Sequence, residues 1–134
     1  MTYELAKKLK DAGFPQKSVE HQPCGYYMNK ESKNADSIEM IADFITEENK
    51  LCYVPTLSEL IEEMPMRAKN LGTINDAHFQ IWKLVTRNPK GDYRACMVDE
   101  NNGNIVDGYN FVSEDGAEEA VANLWLALNK TKND

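Results

Sequence analysis

Three apolar-rich runs, His78 to Thr86, Tyr93 to Val98 and Ile105 to Val112, follow one another with only short connections. Parallel neighbours need a crossover of about a dozen residues or more, so runs joined this tightly must pair antiparallel. The connections agree. Asn88-Pro89-Lys90-Gly91 places Asn at i, Pro at i+1 and Gly at i+3 of a type I turn. Asn102-Gly103 is the strongest hairpin signal in the chain. The segment is read as a three-stranded, or slightly larger, antiparallel meander.

Helices flank it. Around Tyr3 to Ala12, Thr2 is a candidate N-cap and Leu5, Ala6, Leu9 and Ala12 form one apolar stripe. Gly13 suits the left-handed position that closes a helix, Phe14 folds back, and Pro15 stops continuation. Tyr26, Tyr27 and Met28 read as a short strand, and Asn29 to Asn34 as a polar loop. A second helix is expected from Asp36, where Asp36 and Glu39 have capping-box spacing and Ile38, Ile41, Ala42 and Ile45 fall at helical period. Its β-branched residues leave a strand as the competitor. Tyr53 and Val54 lead, extended, into a third helix. There Pro55 sets the entry, Thr56 and Glu59 form a capping box, Leu57, Leu60, Ile61 and Met64 supply the stripe, and Pro65 ends it. The last helix, Gly116 to Lys130, has Glu114, Asp115, Glu118 and Glu119 at its positive end and Lys130 and Lys132 at its negative end. Its stripe is Ala117, Ala120, Val121, Leu124, Trp125 and Leu128.

The two faces of the meander decide how these layers stack. Phe79, Ile81 and Val85 oppose Trp82 and Leu84; Tyr93, Ala95 and Met97 oppose Cys96 and Val98; Ile105, Tyr109 and Phe111 oppose Val106 and Val112. Neither set is cleanly polar, whereas a one-sided antiparallel sheet alternates. The preferred answer is an α+β fold with helices on both faces; the competing answer is a second face that meets a partner. With 134 residues, one domain can bury roughly two-thirds of its chain surface and needs no metal or disulfide staple. The chain is therefore read as one domain over residues 1–134.

Composition narrows the function. Acidic residues number 22 against 15 basic, a net charge of −7, which repels nucleic-acid phosphates and anionic membranes. Two sparse basic sets, Lys7, Lys8 and Lys10, and Arg87, Lys90 and Arg94, read as solvated surface. The N-terminal residues lack the basic region and roughly 7–15 residue apolar core of a signal peptide, and no apolar run nears the ~18 residues that span a bilayer. A cytoplasmic protein is expected.

No residue is assigned a catalytic, cofactor-binding or metal-binding role. Cys24, Cys52 and Cys96 are too sparse for a disulfide framework and read as reduced thiols. His21-x-x-Cys24 is at most a metal half-site, since zinc needs three or four convergent ligands and Cys52, Cys96 and His78 are scattered. Cysteine–histidine catalysis would need one of these thiols against His21 or His78. The doublets Glu47-Glu48, Glu62-Glu63, Asp99-Glu100 and Glu118-Glu119 point in diverging directions and are not acid–base dyads by spacing. Asp92, Asp99, Glu100 and Asp107 lie near strand ends, where a hard cation could sit, but turn chemistry accounts for them. Trp125 reads as core. Trp82, Tyr93, Tyr109 and Phe111 lie on the meander, and any that face outward favour a protein contact.

Three stretches carry a family resemblance: Leu9-Lys10-Asp11-Ala12-Gly13-Phe14-Pro15-Gln16, Tyr53-Val54-Pro55-Thr56-Leu57-Ser58-Glu59-Leu60-Ile61-Glu62, and Glu118-Glu119-Ala120-Val121-Ala122-Asn123-Leu124-Trp125-Leu126-Ala127-Leu128. In this order they resemble a set of small phage and prophage proteins of bacterial genomes. No activity comes with that family, so no site residue carries over. Its members are usually shorter between the first two motifs, which makes the segment around 24–50 an addition here. A weaker similarity, through Glu118-Glu119-Ala120 and Ala122-Asn123 after a meander, is to HicB-type antitoxins, without the DNA-binding tail expected of many of them. The order helix, three strands, helix is also similar to double-stranded-RNA-binding domains. That function needs lysines where this chain has Glu114, Asp115, Glu118 and Glu119, so it is rejected.

The expectation is a non-enzymatic phage or prophage accessory protein whose partner is another protein, with no nucleic acid, membrane or cofactor and its oligomeric state open. An acidic domain of this kind suits inhibition of a basic host enzyme. The alternatives are a HicB-like inhibitor, a self-assembling structural protein, or a small enzyme whose site assembles only in three dimensions, for which a cleft holding His78 or His21 beside a carboxylate or Cys24 would speak.

Overall fold

A computed structural model of the chain describes residues 1–16, 26–28, 39–40, 52–71, 74–87 and 91–133. Its contacts group into two compact units, Met1–Pro55 and Thr56–Asp134, where the sequence is read as one domain.

In the first unit, α1 (Tyr3–Asp11) starts as its sequence dictates: the Thr2 hydroxyl accepts from the Leu5 N–H at 3.2 Å. It closes by a Schellman motif. Gly13, at φ +93°, donates to Lys10 C=O at 3.1 Å, and Phe14 donates to Leu9 C=O at 2.8 Å. Leu5, Ala6, Leu9 and Phe14 are buried; Ala12, at the margin of the stripe, is half-buried. Three short strands, β1 (Tyr26–Met28), β2 (Glu39–Met40) and β3 (Cys52–Tyr53), form an antiparallel sheet in the order β2-β1-β3. The register pairs Tyr26 with Met40, and Tyr27 with both Glu39 and Tyr53. α1 packs against β3, whose Cys52 and Tyr53 are buried. Gln16 ties the helix exit to this strand: its Oε1 accepts from the Tyr53 N–H at 2.9 Å while its Nε2 donates to Phe14 C=O at 3.2 Å.

The helix expected from Asp36 is corrected at Glu39–Met40, which are extended in β2. The flanking β-branched Ile38 and Ile41 favour that outcome. The rest of that stretch, the polar loop 29–34, most of the 24–50 segment and the turn at 88–90 lie outside the described residues.

In the second unit, α2 (Leu57–Glu63) carries the full capping box: the Thr56 hydroxyl accepts from Glu59 N–H at 3.3 Å, and the Glu59 carboxylate accepts from Thr56 N–H at 3.0 Å. Leu60 and Met64 are buried, but Ile61, expected on the stripe, is 40% exposed. Four strands follow: β4 (Arg67–Leu71), β5 (Ile74–Leu84), β6 (Asp92–Asp99) and β7 (Ile105–Ser113). They form one antiparallel sheet in sequence order. The meander is therefore four-stranded. β4 escapes sequence patterning because Arg67-Ala68-Lys69-Asn70 has no apolar alternation; charge on a short edge strand is how sheets protect their edges. α3 (Ala117–Asn133) closes the chain, and every residue of its expected stripe is buried.

Directly paired residues share a face. One face carries Arg67, His78, Val98 and Ile105, then Gln80, Cys96 and Asn110, then Trp82, Arg94 and Val112. The other carries Phe79 and Met97, then Ile81, Ala95 and Phe111, then Lys83, Tyr93 and Ser113. α3 packs on β6 and β7. Since Asn110 is exposed and Val112 is 50% exposed, α3 covers the face of Ala95, Met97 and Phe111. α2 rests on α3, so both helices lie on one side. Within this unit, the helical cover expected on both faces is found on one.

Two placements differ from strict alternation. The register shifts between Cys96 and Val98, next to Gly108 at φ +86°, and this puts Ile105 opposite Val98 rather than on the side of Phe111. Such an irregularity flips the side-chain phase of a strand, and a left-handed glycine is how the backbone makes it. Val85 lies past the end of β5 and is fully exposed. Asn102-Gly103 does mark the β6–β7 connection, but the link spans residues 100–104. It is closed by Asp99 N–H to Asn104 C=O and Gly103 N–H to Asp99 C=O, both at 2.8 Å.

Candidate functional site

The face without helix cover gathers the chemistry. Along β5, residues 78, 80 and 82 project from it two apart, as the period of a strand requires. Trp82 is the fixed point. Its indole N–H can only donate, and it donates to Gln80 Oε1. The Gln80 amide nitrogen then faces His78 Nε2 at 2.7 Å and must donate to it. His78 Nε2 is thus the acceptor, and the neutral ring carries its proton on Nδ1. That nitrogen lies 3.8 Å from Glu100 Oε1, the oxygen that also meets Arg67 Nε at 3.2 Å.

Backbone pairing positions these groups. Arg67 on β4 sits directly opposite His78 on β5, and Glu100 is held by its N–H bond to Asp76 C=O at 3.0 Å. Met66, Arg67, His78, Phe79 and Glu100 line an open hollow of about 570 Å³. The His78 side chain is 34% exposed and that of Glu100 28%.

A histidine beside a carboxylate in a hollow invites comparison with a catalytic pair. The hydrogen bonds argue otherwise. A general base needs a free lone pair within reach of the proton it removes. Gln80 occupies the Nε2 lone pair of His78, and Nδ1 is protonated towards Glu100. Among the described residues the lining holds no hydroxyl or thiol to act as nucleophile. The hydrogen bonds fix the side chains of this row relative to one another.

At the far end of the same face, the Arg94 guanidinium stacks over Trp82, 5.3 Å from the ring centroid. This is a cation–π contact between directly paired residues. Arg94 Nε is buried and has no hydrogen-bond partner.

The other candidates disperse. His21, Cys24 and Lys90 lie outside the described residues. Cys52 and Cys96 are free and buried in different units, and burial pushes both thiols above the ordinary value, against a smaller opposing pull from Lys10 on Cys52 and from Arg94 on Cys96. His78 meets a carboxylate rather than a cysteine. Asp99 is buried and caps its own turn, accepting from Asn101 N–H at 2.9 Å. Among the described residues, no three His, Cys, Asp or Glu side chains gather as a metal would need. Lys7 pairs with Asp11 at 2.7 Å, and Arg87 is exposed. Trp125 is buried in α3, Tyr93 and Phe111 face the helices, and Trp82 faces away from them.

Sequence reasoning singled out His78 and Trp82 but missed Arg67, Gln80 and the stacking of Arg94. The i, i+2, i+4 series His78-x-Gln80-x-Trp82 was the available signal, since a strand sets such residues in one row. Comparison with family models, with curated proteins and with solved structures gives no match.

Proposed function

We propose that this chain is a non-enzymatic accessory protein of phage or prophage origin that works by binding another protein through the uncovered face of its four-stranded sheet. The origin rests on the three-motif resemblance. The binding surface rests on one observation: Asn110 and Val112 are exposed on the face that also carries Trp82, Arg94 and His78, while both helices of the unit lie on the other side. Aromatic, methionine and arginine side chains are the types enriched at interface cores. Met66, 85% exposed at the mouth of the hollow, adds to that set.

Affinity capture from a host lysate tests this reading, with two variants checked for folding by circular dichroism. The expected result is a specific protein retained by the wild type and by Glu62→Ala on α2, and lost with Val112→Glu. Capture of no specific protein, or of one that Val112→Glu retains, contradicts the reading.

The second reading is an enzyme centred on His78, favoured by the hollow and the neighbouring Glu100. Screening against nucleotides and esters separates the two. Turnover that disappears in His78→Ala would establish the enzyme; the Gln80 amide on His78 Nε2 leads us to expect none.

A further inference from the structure

Resting on the binding face just described, we infer that Arg94, backed by Trp82, is the receptor for a carboxylate on an acidic peptide segment of the partner protein. Arg94 lies in the row Trp82–Arg94–Val112, between an indole and a half-exposed valine. Arg94 stacks on Trp82, and its charge acts on Cys96. Among the described residues no carboxylate pairs with it. Arg67, by contrast, already has Glu100.

The surroundings make Arg94 a strong receptor. Its buried Nε has left water without gaining an acceptor, so part of the hydration of the charge is already lost. A carboxylate arriving at such a guanidinium displaces less water than it would at a free lysine, and the planar fork matches its geometry. Stacking on the indole fixes the plane of that fork in advance, which limits the entropy lost on binding. Val112 gives the segment an apolar footing beside the charge.

The ligand chemistry follows from charge matching. Net charge sets the far field and favours basic partners; an arginine without a carboxylate partner among the described residues sets what seats locally. A nucleic acid is disfavoured because its phosphates would extend well beyond one arginine into the field of a chain carrying −7.

The test is a titration of the ¹⁵N-labelled full chain with a capped alanine pentapeptide carrying one central glutamate, its glutamine counterpart and a dT12 oligonucleotide, following the Arg94 Nε–H and Trp82 Nε1–H resonances in the wild type and the Trp82 Nε1–H resonance in the Arg94 variants. The expected result is saturable shifts with the glutamate peptide and none with the glutamine peptide, the affinity read at Trp82 weakening about tenfold or more in Arg94→Gln and being only partly restored in Arg94→Lys. No shift with the glutamate peptide, an affinity at Trp82 unchanged in Arg94→Gln, or tighter binding of dT12 at the same resonances overturns the inference. The capture assay keeps the two claims apart. A partner lost with Val112→Glu but kept with Arg94→Gln leaves the binding face standing and removes the carboxylate receptor. A partner that Val112→Glu retains removes the face itself.

Discussion

Trp82 shows how one donor-only side chain can set the state of others. Its indole N–H orients Gln80, and the Gln80 amide in turn donates to His78 Nε2. Removing the acceptor at the end of this row frees the amide, so His78→Ala is expected to move the Trp82 Nε1–H resonance and to leave that of Trp125 in place. A Trp82 signal that stays fixed in His78→Ala contradicts the row. The thiols give a second residue-scale expectation. Burial raises Cys52 and Cys96 above the ordinary value of 9.0, so the folded state favours the neutral thiols. The stability this contributes is fully present below that value and is lost as pH rises beyond it. Urea midpoints above pH 9.0 are expected to fall less steeply in Cys96→Ala than in the wild type. Both thiols should react with iodoacetamide only after unfolding, as peptide mass mapping can show.

Elements differ in how openly the sequence declares them. α1 and α2 were legible because their ends are made by local chemistry: Thr2 and Thr56 accept the bonds their spacing promises, and Gly13-Phe14 close the turn behind α1. α3 was legible through its stripe. β4 was not, because its pairing with β5 comes from tertiary context and its composition is that of a loop. The phase of Ile105 was not, because one irregularity at Gly108 reverses everything before it in the strand. The site was half legible for the same reason: His78 and Trp82 stand out as residue types, while Arg67, Gln80 and Arg94 acquire meaning only from register. Two substitutions measure what these elements contribute. Thr56→Ala is expected to cost about 1 kcal/mol through loss of the cap. Leu124→Ala, at a position with no exposed surface, should cost about 2–5 kcal/mol. Both are read from denaturant unfolding. A loss near zero for Leu124→Ala would contradict the placement of α3 on the sheet.

At the scale of the Thr56–Asp134 unit, the two sides of the sheet have divided their roles. One side is closed by α3 and α2 and displays acids, with Glu62 and Glu63 exposed on α2. The other keeps a four-stranded surface of mixed aromatic, cationic and amide character, held by hydrogen bonds along β5 rather than by a helix. Among the described residues no helix is long and apolar enough to cross a membrane. The sheet could have hidden its second face under another layer, as the mixed character of both strand faces suggested. Within this unit no helix lies on that face; the small, buried Cys96 stands between Gln80 and Asn110, and Asn110 and Val112 are exposed. Site-specific photo-crosslinking tests this division most directly, with the reactive side chain placed at Asn110 on the uncovered face or at Glu63 on α2, in cells that carry the protein's natural partners. The expected result is one discrete adduct from Asn110 and none from Glu63. Adducts from Glu63 alone, or none from Asn110, would contradict the claim that this face is where the protein meets its partner.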